Sequence, residues 1–156
     1  MSVKPIPDGY HTVTPYITVS DGAAALEFYE KALGATVVMR FDTPDGRVAH
    51  AEIQIGDSKV MLGGECPVMG NKSPLSLGGT TGGLCVYVED CDALFDRAVA
   101  AGATVMKPVT DQFYGDRSGT VIDPFGHAWT IATHKEDVSI PEMKRRMAAL
   151  MQPQAA

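Results

Sequence analysis

The sequence predicts an α+β fold in which one β–α–β–β–β unit is used twice. Three observations predict it. A capping Asp, a helical run and a glycine stop occur at Asp21 to Gly34 and again at Asp90 to Gly102. The triplet Ala35-Thr36-Val37 returns as Ala103-Thr104-Val105, 68 residues later. The stretch Tyr114 to His134 reads as strand, turn, strand around Asp123-Pro124-Phe125-Gly126, where Pro124 presets φ and Gly126 supplies freedom for positive φ. Two unrelated strand–helix units sharing common turn chemistry would be the plainer reading.

Taken in order, residues 1–10 are a lead-in containing Pro and Gly, and His11 to Val19 is a β-rich run. Ser20-Asp21 offers an N-cap. Gly22 to Leu33 then carries Ala25, Phe28, Tyr29, Ala32 and Leu33 on one side of a helix, and Gly34 stops it. Ala35 to Phe41 is a strand, Pro44-Asp45-Gly46 a hairpin turn, and Arg47 to Ile55 the returning strand. Gly56-Asp57 turns into a last strand from Ser58 to Leu62. These elements make a first repeat of about 11–63. Residues 64–82 are rich in Gly, Pro, Ser and Thr and read as a linker. The second repeat spans about 83–134: a strand Gly83 to Glu89, a helix Cys91 to Ala101, a strand from Ala103, and the closing hairpin. In that hairpin Gly119 to Ile122 is extended. His127, Trp129, Ile131 and Thr133 alternate with Ala128, Thr130, Ala132 and His134. Ser139-Ile140-Pro141-Glu142 is a capping box opening a C-terminal helix, about 139–151. Lys144-Arg145-Arg146 forms its solvated face, and its apolar side could dock a partner.

With 156 residues the chain is long enough to bury about 70% of the surface its unfolded form exposes, as one domain of two fused halves. It is 45% hydrophobic and 21% charged, the composition of an ordinary soluble domain. A net charge of −6 and a pI near 5.1 offer no basic field for phosphates, which excludes nucleic-acid binding. Cys66, Cys85 and Cys91 are odd in number and form no CxxC, so a reducing, cytoplasmic setting is expected. No signal-peptide core and no run of about 20 apolar residues is present, so no membrane partner is expected.

The doubled unit, with Phe28-Tyr29-Glu30-Lys31-Ala32-Leu33-Gly34-Ala35 closing the first helix and Asp123-Pro124-Phe125-Gly126-His127-Ala128-Trp129 in the last hairpin, resembles the vicinal oxygen chelate superfamily. That superfamily holds glyoxalase I, the bleomycin-resistance proteins, fosfomycin-resistance enzymes and extradiol dioxygenases. The resemblance covers about residues 11–134. Residues 44–62, 87–105 and 111–134 resemble in particular its PhnB-like branch. The resemblance implies that each repeat builds half of a curved mixed β-sheet, that the sheet cups a pocket, and that the helices lie outside. It also implies divalent-metal ligands (His, Glu or Gln) on the first and last strands of each repeat. Those places fall here at Thr14 and near Met61 in the first repeat, and at Gly83 and Thr130 in the second. Such a set holds no metal, so the family's metal chemistry is not expected to be inherited.

The strand Arg47 to Ile55 puts Val48, His50, Glu52 and Gln54 on one face and Ala49, Ala51, Ile53 and Ile55 on the other. The apolar face packs on helices and the polar face looks into the cup. His50 and Glu52 could hold a metal, act as an acid–base pair, contact a ligand, or sit on a plain exposed strand face. Thr14, Tyr16 and Thr18 share a face, as do Cys85 and Tyr87, and tyrosines suit a partly apolar ligand. Cys85 could be a nucleophile only with a nearby base, for which His50 is the one candidate. In the loop Asp111 to Arg117, Gln112 and Arg117 could line the pocket mouth, with Arg117 holding an anion or pairing with Asp116 or Asp123. Trp129 is expected in the core, and His127 as structural or solvent-facing. The expectation is thus a cytoplasmic homodimer that sequesters a small organic ligand without cofactor. The rival is a metal-dependent lyase or oxygenase centred on His50 and Glu52, and a third reading is a structural or interaction protein.

Overall fold

Asp21 and Asp90 each accept a hydrogen bond from a first-turn amide, Ala24 N and Ala93 N, both at 3.0 Å, and so start the two main helices. The computed structural model describes residues 3–151. In the first repeat β1 (Tyr16–Val19) leads to α1 (Gly22–Leu33), which ends at Gly34 with φ of 67°. A side chain there would meet the left-handed penalty that glycine escapes. The chain then forms β2 (Thr36–Asp42), β3 (Val48–Ile55) and β4 (Ser58–Gly64). After a one-turn helix α2 (Pro74–Leu77), the second repeat follows as β5 (Gly83–Tyr87), α3 (Cys91–Ala100), β6 (Thr104–Asp111), β7 (Asp116–Ile122) and β8 (Ala128–His134). The final helix is α4 (Ile140–Leu150), capped by Ser139, whose hydroxyl accepts from Glu142 N.

Each repeat makes one four-stranded mixed sheet, in the orders β1-β4-β3-β2 and β5-β8-β7-β6. The pairs β1/β4 and β5/β8 are parallel, and the remaining pairs are antiparallel. The sheets curve into a cup, with α1 and α3 packed on each other and on the convex side. The core lies between helices and sheets and holds Val19, Tyr29, Ile53, Leu62, Trp129 and Ile131, so Trp129 is where alternation placed it.

The two repeats are pinned together by Asp123. It starts the last turn as predicted, but its carboxylate also points inward and is only 4% exposed. It accepts from Phe125 N and His127 N within the turn, from Trp129 Nε1 in β8, and at 2.7 Å from the Tyr29 hydroxyl of α1, 94 residues away. Burial, then the Asp123 charge, push the Tyr29 phenol well above its ordinary range, so it stays a donor.

Three boundaries differ from the sequence expectation. The first strand begins at Tyr16, not His11, because Pro15 has no amide to donate to a ladder. Its carbonyl still receives Met61 N, and residues 3–15 form an irregular arm before it. The strand β7 begins at Asp116, three residues before Gly119, which leaves only a short turn between β6 and β7. The linker is largely organised: it holds the end of β4, a bridge between Cys66 and Asn71, a 3-10 turn Pro67–Met69, and α2 with Ser73 as its cap.

Candidate functional site

From His50 onward alternation along β3 sends Ala51, Ile53 and Ile55 into the core and His50, Glu52 and Gln54 to the concave face, as expected. A register shift opposite Val48 turns Val48 into the core and leaves Ala49 exposed, the reverse of the expectation. On β1, Tyr16 and Thr18 share that face. Tyr16 lies two strands from His50, with β4 between them, yet their rings stack with centroids 5.7 Å apart and planes 28° from parallel. The contact is possible because β4 carries Gly63 at the crossing. A Cβ there would lie 2.6 Å from the Tyr16 hydroxyl oxygen. Phe41, the cross-strand partner of His50 on β2, extends the row, so three rings cross the sheet. Tyr16 and Phe41 remain 51% and 57% exposed.

Below this shelf sits Glu52, only 3% exposed. Its carboxylate accepts the hydroxyl of Tyr10, from the irregular arm. Lys59 Nζ lies 3.8 Å from it and His50 Nε2 lies 3.6 Å from it, so both are charge neighbours beyond hydrogen-bond reach. The same ammonium sits 3.8 Å above the Tyr10 ring. Neither Tyr10 nor Lys59 could be attached to Glu52 from sequence. Lys59 shares the concave face of β4 with Met61, which alternation allows in hindsight, but nothing local marks Tyr10.

On the second sheet Cys85 and Tyr87 share the concave face with Thr130, as predicted. The Tyr87 hydroxyl donates at 2.7 Å to Asp116, and that hydrogen bond leads in pushing its pKa up to about 12. Asp116 meets His134 Nδ1 at 2.7 Å, and His134 Nε2 meets Asp137 at 3.0 Å. Burial, then Asp116, push the Cys85 thiol up, the opposite of what a thiolate nucleophile needs. Asp116 was missed because β7 starts earlier than the glycine at 119 suggested, while His134 shares the Thr130 face of β8 as alternation placed it.

Arg117 and Gln112 do not reach this face. With Asp116 on the concave side, Arg117 points to the helices. It grips Asp92 of α3 with two bonds of 2.7 Å and Asp111 with one of 3.2 Å, and pairs with neither Asp116 nor Asp123. The Asp92 carboxyl is accordingly held below its usual range by the guanidinium. The Gln112 amide donates to Thr110 in its own hairpin. His127, buried, meets the carbonyl of Thr18 at 2.9 Å, a structural role. Two clefts open on this side of the described residues, of which the first borders the shelf at Tyr16. One of about 690 Å³ lies over Tyr16 and Thr18 beneath the Gly-Thr segment 78–83. The other, about 740 Å³, runs between the arm at 11–15 and β5, past Lys59, Cys85 and Tyr87.

The strand register tests the family's metal places. Tyr16 stands opposite Met61 and Cys85 opposite Thr130 on the concave face, while Thr14 lies outside β1 and Gly83 pairs with Ala128. Neither set supplies the imidazole and carboxylate donors a divalent ion needs. Among the described residues no group of three or more His, Cys, Asp or Glu side chains is placed to hold an ion, and around His50 only Glu52 qualifies.

Two β–α–β–β–β units, each with a parallel first and last strand, curved around an open concave face, define a glyoxalase-type fold. The chain belongs to the Glyoxalase/Bleomycin resistance protein/Dioxygenase superfamily, whose family model matches residues 10–131. It is 42% identical over 140 residues to an uncharacterized protein of Mycobacterium bovis, covering 88% of this chain and 92% of that one. An uncharacterized protein of Mycobacterium tuberculosis strain H37Rv is equally similar, over 82% of its length. Among solved structures, TioX from Micromonospora sp. ML1 superposes with a TM-score of 0.62 at 25% identity, over 83% of this chain and all of that one. A Bacillus cereus PhnB protein, described as a putative 3-demethylubiquinone-9 3-methyltransferase, superposes with a TM-score of 0.61 over 79% of this chain and 99% of its own, and at 17% identity shares the fold alone.

Proposed function

We propose that this chain is a small-molecule-binding protein of the glyoxalase/bleomycin-resistance type, on the PhnB-like branch, that holds a partly aromatic organic ligand without a divalent metal. One observation carries this reading. The Tyr16–His50 stack with Phe41 is an exposed flat surface on the concave face, and it exists because β4 has a glycine where the rings cross. A planar ligand laid on it gains aromatic contact of about 0.5–1.5 kcal/mol per ring beyond area burial. Tyr16, His50 and Glu52 are the wall on one sheet, Cys85 and Tyr87 on the other. The protein works in the cytoplasm as a homodimer. Supporting the homodimer are the apolar side chains left exposed on both outer strands, Val37, Val38 and Phe41 on β2 and Val105 and Met106 on β6, and those on α4, Ile140 and Leu150.

Titration with anilinonaphthalene sulfonate, followed by its fluorescence, tests the reading. The wild type binds the dye, and Gly63→Ala, which pushes Tyr16 off His50, weakens binding about tenfold. Equal binding by both proteins would remove the shelf from the argument. Elemental analysis of the purified protein bears on the metal: one tightly held divalent ion per chain, lost in His50→Ala, would favour the lyase or oxygenase reading instead.

A further inference from the structure

Three carboxylates are buried among the described residues, and Asp123 and Glu52, the deepest two, are treated very differently. Asp123 accepts four hydrogen bonds, all from the folded second repeat or α1. Glu52 is as deeply buried, yet among the described residues it accepts one. A carboxylate has about four lone-pair sites, and neither Glu52 oxygen is both fully enclosed and unpaired, so the oxygen that Tyr10 does not bond is open to a further donor. The single donor is the Tyr10 hydroxyl. It comes from a segment that has almost no other hold on the protein. Residues 3–14 contain no strand or helix, and their other hydrogen bonds are local: Tyr10 N to Pro7, Thr14 to His11 and Lys4 to Asp8. Tyr10–Glu52 is the one hydrogen bond that ties this segment to the rest of the described chain. Around the Tyr10 ring the protein has built a fitted place, with the Lys59 ammonium on its face at 3.8 Å and the carboxylate at its hydroxyl. Lys59 is itself mostly buried there, with a side chain 14% exposed.

Resting on the ligand-binding reading above, we propose that Glu52 and Lys59 form a subsite for a phenolic hydroxyl, which Tyr10 fills in cis and which a hydroxyaromatic ligand takes by displacing the arm. The side chain seated there defines the chemistry accepted: a flat ring under a cation, with an O–H donating to a buried carboxylate. Displacement is structurally cheap, since it breaks one tethering bond and replaces it in kind. It also removes the arm wall of the 740 Å³ cleft, which His11, Val13, Thr14 and Pro15 line.

The test uses p-cresol as probe and toluene as control, on the full chain. The wild type binds p-cresol weakly, because Tyr10 competes. Tyr10→Ala binds it about tenfold more tightly and prefers it to toluene, as a hydrogen bond to a charged acceptor requires. In the wild type, saturating p-cresol speeds hydrogen exchange at the amides of residues 9–14. Should Tyr10→Ala prove unstable, Tyr10→Phe keeps the ring, removes the tether, and raises p-cresol affinity by a smaller factor of about three. Equal p-cresol affinity in wild type and both variants, equal binding of toluene, or unchanged arm exchange would each overturn the proposal. Loss of the dye shelf with the p-cresol effect intact would overturn the shelf alone; the reverse result would overturn only the subsite.

Discussion

Replacing Asp123 with Ala is the most demanding test of how the two repeats are joined. The substitution strands four donors: the Tyr29 hydroxyl, Trp129 Nε1, and the amides of Phe125 and His127. Hydrogen bonds to a charged group contribute about 1.5–3 kcal/mol each, and a buried donor left unpaired costs about 1–3 kcal/mol. These do not add, since the four share one acceptor and the turn relaxes. Single losses above 4–5 kcal/mol are exceptional, so the expected cost is about 3–5 kcal/mol. At about 2–4 °C per kcal/mol for a chain this size, Tm falls by about 6–20 °C. Asp123→Asn is the control. Its carbonyl oxygen still accepts from the two turn amides, while its NH2 faces the Trp129 donor, so it loses less than Ala. Calorimetry combined with Trp129 fluorescence reads both, and a cycle with Tyr29→Phe isolates the link between repeats. A loss below about 1 kcal/mol for Asp123→Ala, or no coupling to Tyr29, would refute the pin.

Further expectations concern the periphery. His134 lies between Asp116 and Asp137, whose hydrogen bonds raise its pKa above the ordinary 6.5. A raised folded-state pKa adds stability that is full below 6.5 and is lost as pH rises through the folded value. Urea midpoints should therefore fall from pH 6 toward pH 8 more steeply in the wild type than in His134→Asn; parallel curves would contradict this. Gly119 has no room for a methyl, since a Cβ would lie 2.7 Å from the Phe95 ring and 2.9 Å from Val109. Gly119→Ala should cost about 1–3 kcal/mol in denaturant unfolding. Arg146 joins Glu136, Glu142 and the Phe113 carbonyl, so Arg146→Ala should expose α4 to limited proteolysis while leaving the global midpoint within about 0.5 kcal/mol.

What was legible in the sequence was local. Asp21, Asp90 and Ser139 cap helices because the hydroxyl or carboxylate reaches an amide three residues on, and Gly34 ends a helix because of its own φ. The faces of β8, and of β3 from His50 onward, followed from a period of two, while the register shift at Val48 turned that residue into the core. What failed depended on where a strand starts or on residues far apart. One misplaced start of β7 sent Arg117 to the wrong side and hid Asp116. Tyr29 lies 94 residues from Asp123 and Tyr10 lies 42 from Glu52, and no local pattern encodes either contact. Alternation accordingly put Tyr16, His50 and Glu52 on one face, whereas Arg117 turns to Asp92 of α3 and away from that face.

The Asp123 contact bears on what kind of repeat this is. In the first half the corresponding turn is the short Gly56–Asp57 link between β3 and β4, with Asp57 bonded to Ser58 at the surface. In the second half the same bend is longer and drives its acid into the seam between halves. The two units therefore duplicate a path through space but divide the labour. One offers a phenol, the other an acceptor, and neither half is chemically complete without its neighbour. Two first halves set together would share the architecture and lack the lock.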